Sequence, residues 1–438
     1  MLAFTFPGQG SQRPGMGRPW VEHPSWEVVQ EATEVGGRDV ARLLLDAGQD
    51  ELTLTANAQL ATYVLSLVVL DAIERVGIEP RLCAGHSLGE YTALTASGAL
   101  GFDEGVRLVV ERGEAMHHAA EERPGTMAAV MGGDDDTAEA ACQRAEDEVW
   151  VANYNAPGQV VIAGTVEGVE AASAIAKELG ARKVVPFPVA GAFHTTLMAS
   201  ARARLRKALS DTPFSAPEVP VVANVDARSH TAPAEWPQLL SAQLCSPVRW
   251  RQSLETLASL GATRLVEVGP GGVLTGLARR TVPDLAAIAV AGPDDLDKLV
   301  DAVAGSETWQ AYAASHQGEH LYTSERVVVS PAAGVFEPAP GMSAPGPGGL
   351  GPGGPGPGRL GTNGLGPNGP GGSGLGGAAG TGGDAGARVA VGDLLGTVGA
   401  VEVRTPFAGT VVGFLAHPGE RVAGGEPIAW VRVGAEGA

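Results

Sequence analysis

The chain opens on a short apolar run, Leu2-Ala3-Phe4-Thr5-Phe6, that reads as a strand. A second apolar strand, Leu82-Cys83-Ala84, leads into a helix-compatible stretch over 90–97, and Gly98 suits its stop. Between them, residues 60–73 are apolar but interrupted by Thr62, Tyr63, Ser66 and Asp71. That stretch is too short and too polar to span a bilayer and is expected to be a buried helix. Strand-like and helix-like runs keep alternating, which predicts an α/β fold with a mostly parallel sheet. Over residues 126–189 the order is strand (127–131), helix (137–145), strand (149–154), strand (160–163), helix (166–179) and strand (183–188). This βαββαβ order predicts an inserted ferredoxin-like subdomain; the alternative is further units of one larger sheet.

The pattern changes after the first 325 residues, which read as one domain with that insert. Residues 341–383 are about half glycine with many prolines and cannot bury enough apolar surface to order, so they are expected to be disordered. Strand-like Val/Ile runs with Gly-rich turns return over 386–435. They contain a repeat. Val328-Val329-Ser330-Pro331-Ala332-Ala333-Gly334-Val335-Phe336 matches Val403-Arg404-Thr405-Pro406-Phe407-Ala408-Gly409-Thr410-Val411. Arg388-Val389-Ala390-Val391-Gly392-Asp393-Leu394-Leu395 matches Arg421-Val422-Ala423-Gly424-Gly425-Glu426-Pro427-Ile428. Two half-units predict a small C-terminal β-sandwich with pseudo-two-fold symmetry, made of 326–340 with 386–435.

Composition narrows the function. The net charge of -19 repels phosphates at long range and argues against a nucleic-acid partner. Nearly all of it lies on the first domain, since residues 327–438 carry 7 acidic and 5 basic residues. Cys83, Cys142 and Cys245 make no metal-ligand spacing, and their odd number argues against a disulfide framework. No metal site and no membrane segment are expected. The first residues lack the basic flank and long apolar run of a signal peptide, so the expectation is a soluble cytoplasmic protein. Composition leaves the oligomeric state open.

Candidate chemistry centres on Gly85-His86-Ser87-Leu88-Gly89, the one Gly-x-Ser-x-Gly in the chain. At a strand-to-helix turn this pattern is a nucleophile elbow, with glycines where any Cβ would crowd the neighbouring backbone. The competing reading is a tight turn with an incidental serine. A serine needs a general base. Of nine histidines, His86 is adjacent and should point away; His117 and His118 lie on an exposed helix; His23 and His230 lie in polar stretches; His316, His320 and His417 fall outside the core. His194, after a strand and at the start of a helix, is the candidate base. Arg112 lies on the helical stretch 103–118, where it could be buried to hold a carboxylate or could sit on the surface beside Glu111 or Glu114.

Together these segments resemble the malonyl-CoA:acyl carrier protein transacylases and the acyltransferase domains of polyketide and fatty acid synthases. The resemblance covers residues 1 to about 300 and implies a hydrolase-like core around the mostly parallel sheet. It rests on Phe6-Pro7-Gly8-Gln9-Gly10-Ser11-Gln12, the elbow with Glu90-Tyr91, Arg112, and Asn153-Tyr154-Asn155-Ala156-Pro157-Gly158-Gln159. Ala192-Phe193-His194, Gln243-Leu244-Cys245-Ser246-Pro247-Val248-Arg249-Trp250 and Glu267-Val268-Gly269-Pro270-Gly271 complete it, in the family's order. The resemblance implies that Ser87 is acylated by malonyl-CoA and passes the malonyl group to the phosphopantetheine thiol of an acyl carrier protein. It implies His194 as base, oriented by the backbone carbonyl of Gln243 in place of an acid, and N–H groups of Gln9 and Leu88 as the oxyanion hole. Arg112 would hold the malonyl carboxylate, and Gln59, Asn153 and Asn155 would line the substrate channel. Leu88 and Phe193 match the malonyl rather than the methylmalonyl pattern. Arg182-Lys183 and Arg279-Arg280 are candidate docking pairs for an acidic carrier protein, with ordinary solvated surface as the alternative.

The tail resembles biotinyl/lipoyl carrier domains, which carry their cofactor on a lysine in the hairpin between half-units. Here that hairpin would be Val398-Gly399-Ala400-Val401, and the last lysine in the chain is Lys298. No biotin or lipoyl cofactor is therefore expected. The module would be a docking or assembly element or a fold remnant. Two other functions compete: a serine thioesterase or other hydrolase with the same elbow, and a non-catalytic assembly protein acting through the tail.

Overall fold

Five short apolar strands run parallel in the core sheet, in the order Ala286–Val290, Arg264–Val268, Leu2–Phe6, Leu82–Gly85, Val221–Val222, and Ser229–His230 adds an antiparallel edge. Alternate residues leave the sheet on opposite faces. Phe4, Phe6, Cys83, Val221, Val266 and Val268 enter one large core; Ala3, Leu82, Ala84, Val222 and Leu265 enter a second with Trp250, Leu254 and Leu277. Burial on both faces explains why these strands read as unbroken apolar runs. The computed structural model describes residues 1–304, 325–332, 334–340, 388–405, 409–414, 416, 418–419, 421–422 and 427–432.

The apolar stretch of residues 60–73 lies in helix Thr55–Arg75, which is buried nearly all round, as its lack of a polar face requires. Among the described residues it is the one helix long and apolar enough to cross a membrane, and 89% of that window is buried inside the protein. Residues 126–186 form their own antiparallel sheet, ordered Val149–Ala156, Gln159–Gly164, Thr126–Met131, Lys183–Pro186. Helices Asp135–Arg144 and Val166–Glu178 supply Ala138, Ala141, Val169 and Ala172 to the core on one face, against Ala128, Val130, Val160 and Ile162. The other face gives Met127, Ala129, Val161 and Ala163 to the main core. These strands are therefore not further members of the parallel sheet.

The chain divides into two compact units, Met1–Ser315 and His316–Ala438, so the boundary falls ahead of residue 325, where the sequence pattern placed it. The second unit has two four-stranded antiparallel sheets. One is ordered Glu325–Val329, Pro427–Arg432, Gly409–Phe414, Arg388–Val389; the other Val401–Arg404, Leu394–Val398, Gly334–Pro338, Arg421–Val422. Replacing each strand by its counterpart in the repeat turns one order into the other. Ser330 and Thr405, each followed by proline, are both buried at equivalent places. Val328, Phe336, Leu395, Val411, Ile428 and Val431 share one core between the sheets. Val398 pairs with Val401 across a tight turn where Gly399 has φ +59°, so the hairpin without lysine does join the half-units. The Gly/Pro-rich segment 341–383 and His316, His320 and His417 lie outside the described residues.

Candidate active site

Strand Leu82–Gly85 ends where helix Gly89–Ala96 begins, with Ser87 between them at φ +54°. The turn is closed to backbone contact. A Cβ on Gly85 would sit 1.8 Å from the carbonyl oxygen of Gly89, and one on Gly89 would sit 2.0 Å from that of Phe6. A left-handed serine costs about 1–2 kcal/mol, which the surroundings must hold in place.

His194 also has a left-handed backbone, φ +63°, in the loop before the turn Thr196–Met198. Its Nε2 is 2.7 Å from Ser87 Oγ, and its Nδ1 is 2.8 Å from the Gln243 carbonyl oxygen. A carbonyl only accepts, so Nδ1 carries the proton and the Nε2 lone pair faces the serine hydroxyl. Burial pushes the imidazole down to about 3, and the nearby Arg112 charge adds to this. The ring is thus neutral and able to take a proton.

Arg112 projects inward from helix Phe102–Glu122 and is 1% exposed. The surface-pair alternative fails because Glu111 and Glu114 both pair with Arg204. Arg112 Nη1 donates to Gln59 Oε1 at 2.6 Å, while Nη2 donates to Gln243 Oε1 at 2.9 Å and to Ser87 Oγ at 3.1 Å. Its Nε has no partner, although it is buried. Burial lowers its pKa from the ordinary value, but a guanidinium keeps its proton inside proteins.

The loop carrying Gln9 packs on the elbow, since a Cβ on Gly8 would lie 2.4 Å from the His86 carbonyl oxygen. The backbone N–H groups of Gln9 and of Leu88, at the helix N-terminus, donate to no described residue. Gln59 also donates from Nε2 to Met116 Sδ at 3.2 Å, which turns its oxygen toward Arg112. His86 points away from Ser87: its Nε2 donates to Asn155 Oδ1 at 2.9 Å, and its ring packs edgewise on Trp250. Asn153 is buried on strand Val149–Ala156, which pairs through its backbone with Val248. Phe193 is buried beside His194, with its ring against Gly191. A cavity of about 410 Å³ reaches His194 and Thr195 between Trp150, Tyr154 and Cys245.

Two buried residues escaped sequence reasoning. Asn224 bridges the elbow, accepting from Ser87 N at 2.7 Å and donating to Gly85 O at 2.6 Å. Glu90 accepts from Asn224 N at 2.8 Å and from Gln243 Nε2. In sequence Glu90 stands out only as the residue after the elbow, and nothing local marks Asn224, which is 137 residues from Ser87.

A serine held on a neutral imidazole, with a helix N-terminus beside it and a buried cation at its oxygen, is the apparatus of acyl transfer through a serine ester. The acyl transferase domain family matches residues 3–308, and the chain belongs to that family. It is 41% identical over 304 residues to the malonyl CoA-acyl carrier protein transacylase of Bacillus subtilis, covering 68% of this chain and 96% of the relative. Among solved structures it resembles the acyl-carrier-protein S-malonyltransferase of Burkholderia pseudomallei (TM-score 0.67, 40% identity, 68% of this chain and 99% of that one). A malonyl-transacylase in complex with a type II polyketide synthase acyl-carrier protein is similar (TM-score 0.67, 37% identity, 69% and 99%). Residues 309–438 lie beyond the family match.

Proposed function

We propose that this protein transfers a malonyl group from coenzyme A to the phosphopantetheine thiol of an acyl carrier protein through a malonyl ester of Ser87. The observation that carries this reading is Arg112, a buried guanidinium 3.1 Å from Ser87 Oγ. A buried cation at the nucleophile suits an acyl chain that ends in a free carboxylate.

Ser87 Oγ attacks the thioester carbonyl while its proton passes to His194 Nε2. The N–H groups of Gln9 and Leu88 receive the developing oxyanion, a contact worth about 3–4 kcal/mol per donor in such sites. The intermediate collapses, the C–S bond breaks, and the coenzyme A thiolate leaves with the proton from His194. In the second half, His194 takes the proton of the carrier thiol, the thiolate attacks the ester, and Ser87 leaves reprotonated. Arg112, steadied at Nη1 by the Gln59 oxygen, holds the malonyl carboxylate, and Phe193 shapes the acyl channel; Asn155 is taken up by His86 and, like Asn153, lies outside the lining of the cavity at His194. When that carboxylate neutralises Arg112, one of the three effects that depress His194 (burial, the Arg112 charge and His86) is removed. The base therefore strengthens as the correct substrate arrives.

We read the insert as a ferredoxin-like subdomain and the tail as a biotinyl/lipoyl-like module without its attachment lysine. This chemistry uses no metal and no attached cofactor, and we read the enzyme as cytoplasmic. The test is intact-mass spectrometry after mixing with malonyl-, methylmalonyl- and acetyl-CoA. Malonyl should accumulate on the parent, not on Ser87→Ala, and should move to holo carrier protein. Release of free malonate with no ester accumulating would instead make it a hydrolase.

A further inference from the structure

We infer that Glu90 is a positioning residue for acyl transfer, setting the nucleophile, the base and the acyl anchor together through Gln243 and Asn224. The inference rests on the malonyl-transfer reading for what the anchor binds. Glu90 is 1% exposed, and both of its oxygens accept from N–H groups. A carboxylate and a main-chain carbonyl only accept; burial raises Glu90 to about 7, while its Asn224 and Gln243 N–H partners and the Arg112 charge favour the carboxylate. The Gln243 NH₂ must therefore face Glu90 Oε2 and the Ser87 carbonyl, which it reaches at 2.8 Å. Its Oε1 is thereby turned toward Arg112 Nη2. Reversing the amide would set oxygen against two oxygens and an NH₂ against a guanidinium.

The same residue acts on the rest of the site. The Gln243 main-chain carbonyl holds His194 Nδ1, so side chain and backbone of one residue serve anchor and base. The other oxygen of Glu90 holds the backbone of Asn224, whose side chain clamps Gly85 O and Ser87 N. Ser87 N is thus held by Asn224, and Ser87 O by Gln243 and by the Glu90 N–H at 3.2 Å. That accounts for how a serine stays at φ +54°. The arrangement also balances charge, since Glu90 and Arg112 lie at opposite ends of one amide. A direct ion pair would occupy the guanidinium fork; the intervening amide leaves donors for an incoming carboxylate.

The experiment compares Glu90→Gln and Asn224→Ala in the full chain. Two quantities are read: the second-order rate of Ser87 labelling by a fluorophosphonate probe, and the ratio of single-turnover loading from malonyl-CoA to that from acetyl-CoA. Glu90→Gln should lower labelling and the ratio about 10-fold or more each, the size expected for a lost hydrogen bond to a charged group. Asn224→Ala should lower labelling while leaving the ratio within about two-fold, because Gln243 and Arg112 keep their partners. If Glu90→Gln fails to fold, Glu90→Asp replaces it, with smaller losses in both readouts. An unchanged labelling rate or an unchanged ratio in the Glu90 variant would overturn the inference, because a merely structural residue changes the folded fraction and neither readout. The labelling needs no malonyl group, so a parent that is labelled but never loads malonyl refutes the functional reading separately.

Discussion

Arg112 donates from Nη2 to Ser87 Oγ at 3.1 Å, so the proposed anchor of the acyl chain touches the proposed nucleophile. Replacing Arg112 by alanine should lower malonyl loading by about 100-fold, since it removes charge-assisted hydrogen bonds worth about 1.5–3 kcal/mol each. Loading from acetyl-CoA should not fall, because acetyl has no carboxylate to lose. Rapid-quench measurement of both acyl-enzymes decides this; equal losses would mean that Arg112 supports only the fold.

The same contact sets a pH dependence. His194 is held down to about 3 by burial first and the Arg112 charge second. Protonation of the imidazole should therefore cut loading only in strong acid, and any step through the neutral range belongs to Glu90, which burial raises to about 7. Removing the positive charge favours the protonated ring, so in Arg112→Met the acid limb should move to higher pH. The pH profile of acetyl loading measures this in both proteins, and a limb that stays put or moves down would contradict the electrostatic link.

The elbow should not tolerate a single methyl group. In Gly85→Ala the new Cβ would meet the Gly89 carbonyl at 1.8 Å, backbone against backbone. Overpacking of this kind costs about 1–3 kcal/mol, occasionally more. The variant should melt several degrees lower and lose Ser87 labelling; a parent-like melting temperature would show that the turn can open.

Arg182 and Lys183 are exposed at the edge strand Lys183–Pro186. If an acidic carrier protein docks there, Arg182→Glu with Lys183→Glu should raise KM for the carrier protein several-fold, more so at low salt. KM for malonyl-CoA should be unchanged. Equal effects on both substrates would assign the pair to general surface charge.

The legible parts of the site were those whose partners are close in sequence. Strand, serine turn and helix follow one another within residues 82–96, so the glycine spacing alone exposes the elbow. The internal repeat exposed the tail's two sheets in the same way, since each half-unit repeats the order of the other. Arg112 shows the limit. Beside Glu111 and Glu114 it reads locally as a surface residue, yet Arg204, 90 or more residues away, takes both carboxylates. Asn224 lies 137 residues from the serine it clamps, and nothing near it in sequence announces that role.

By itself, then, the sequence determined the α/β alternation, the inserted unit, the doubled tail and the serine turn between strand and helix, because backbone sterics and hydrophobic periodicity act over a few residues. Only the tertiary structure decided which polar groups meet at Ser87. A buried donor or acceptor must find a partner wherever the packed chain brings one, and Glu90, Asn224 and Gln243 find theirs across the fold.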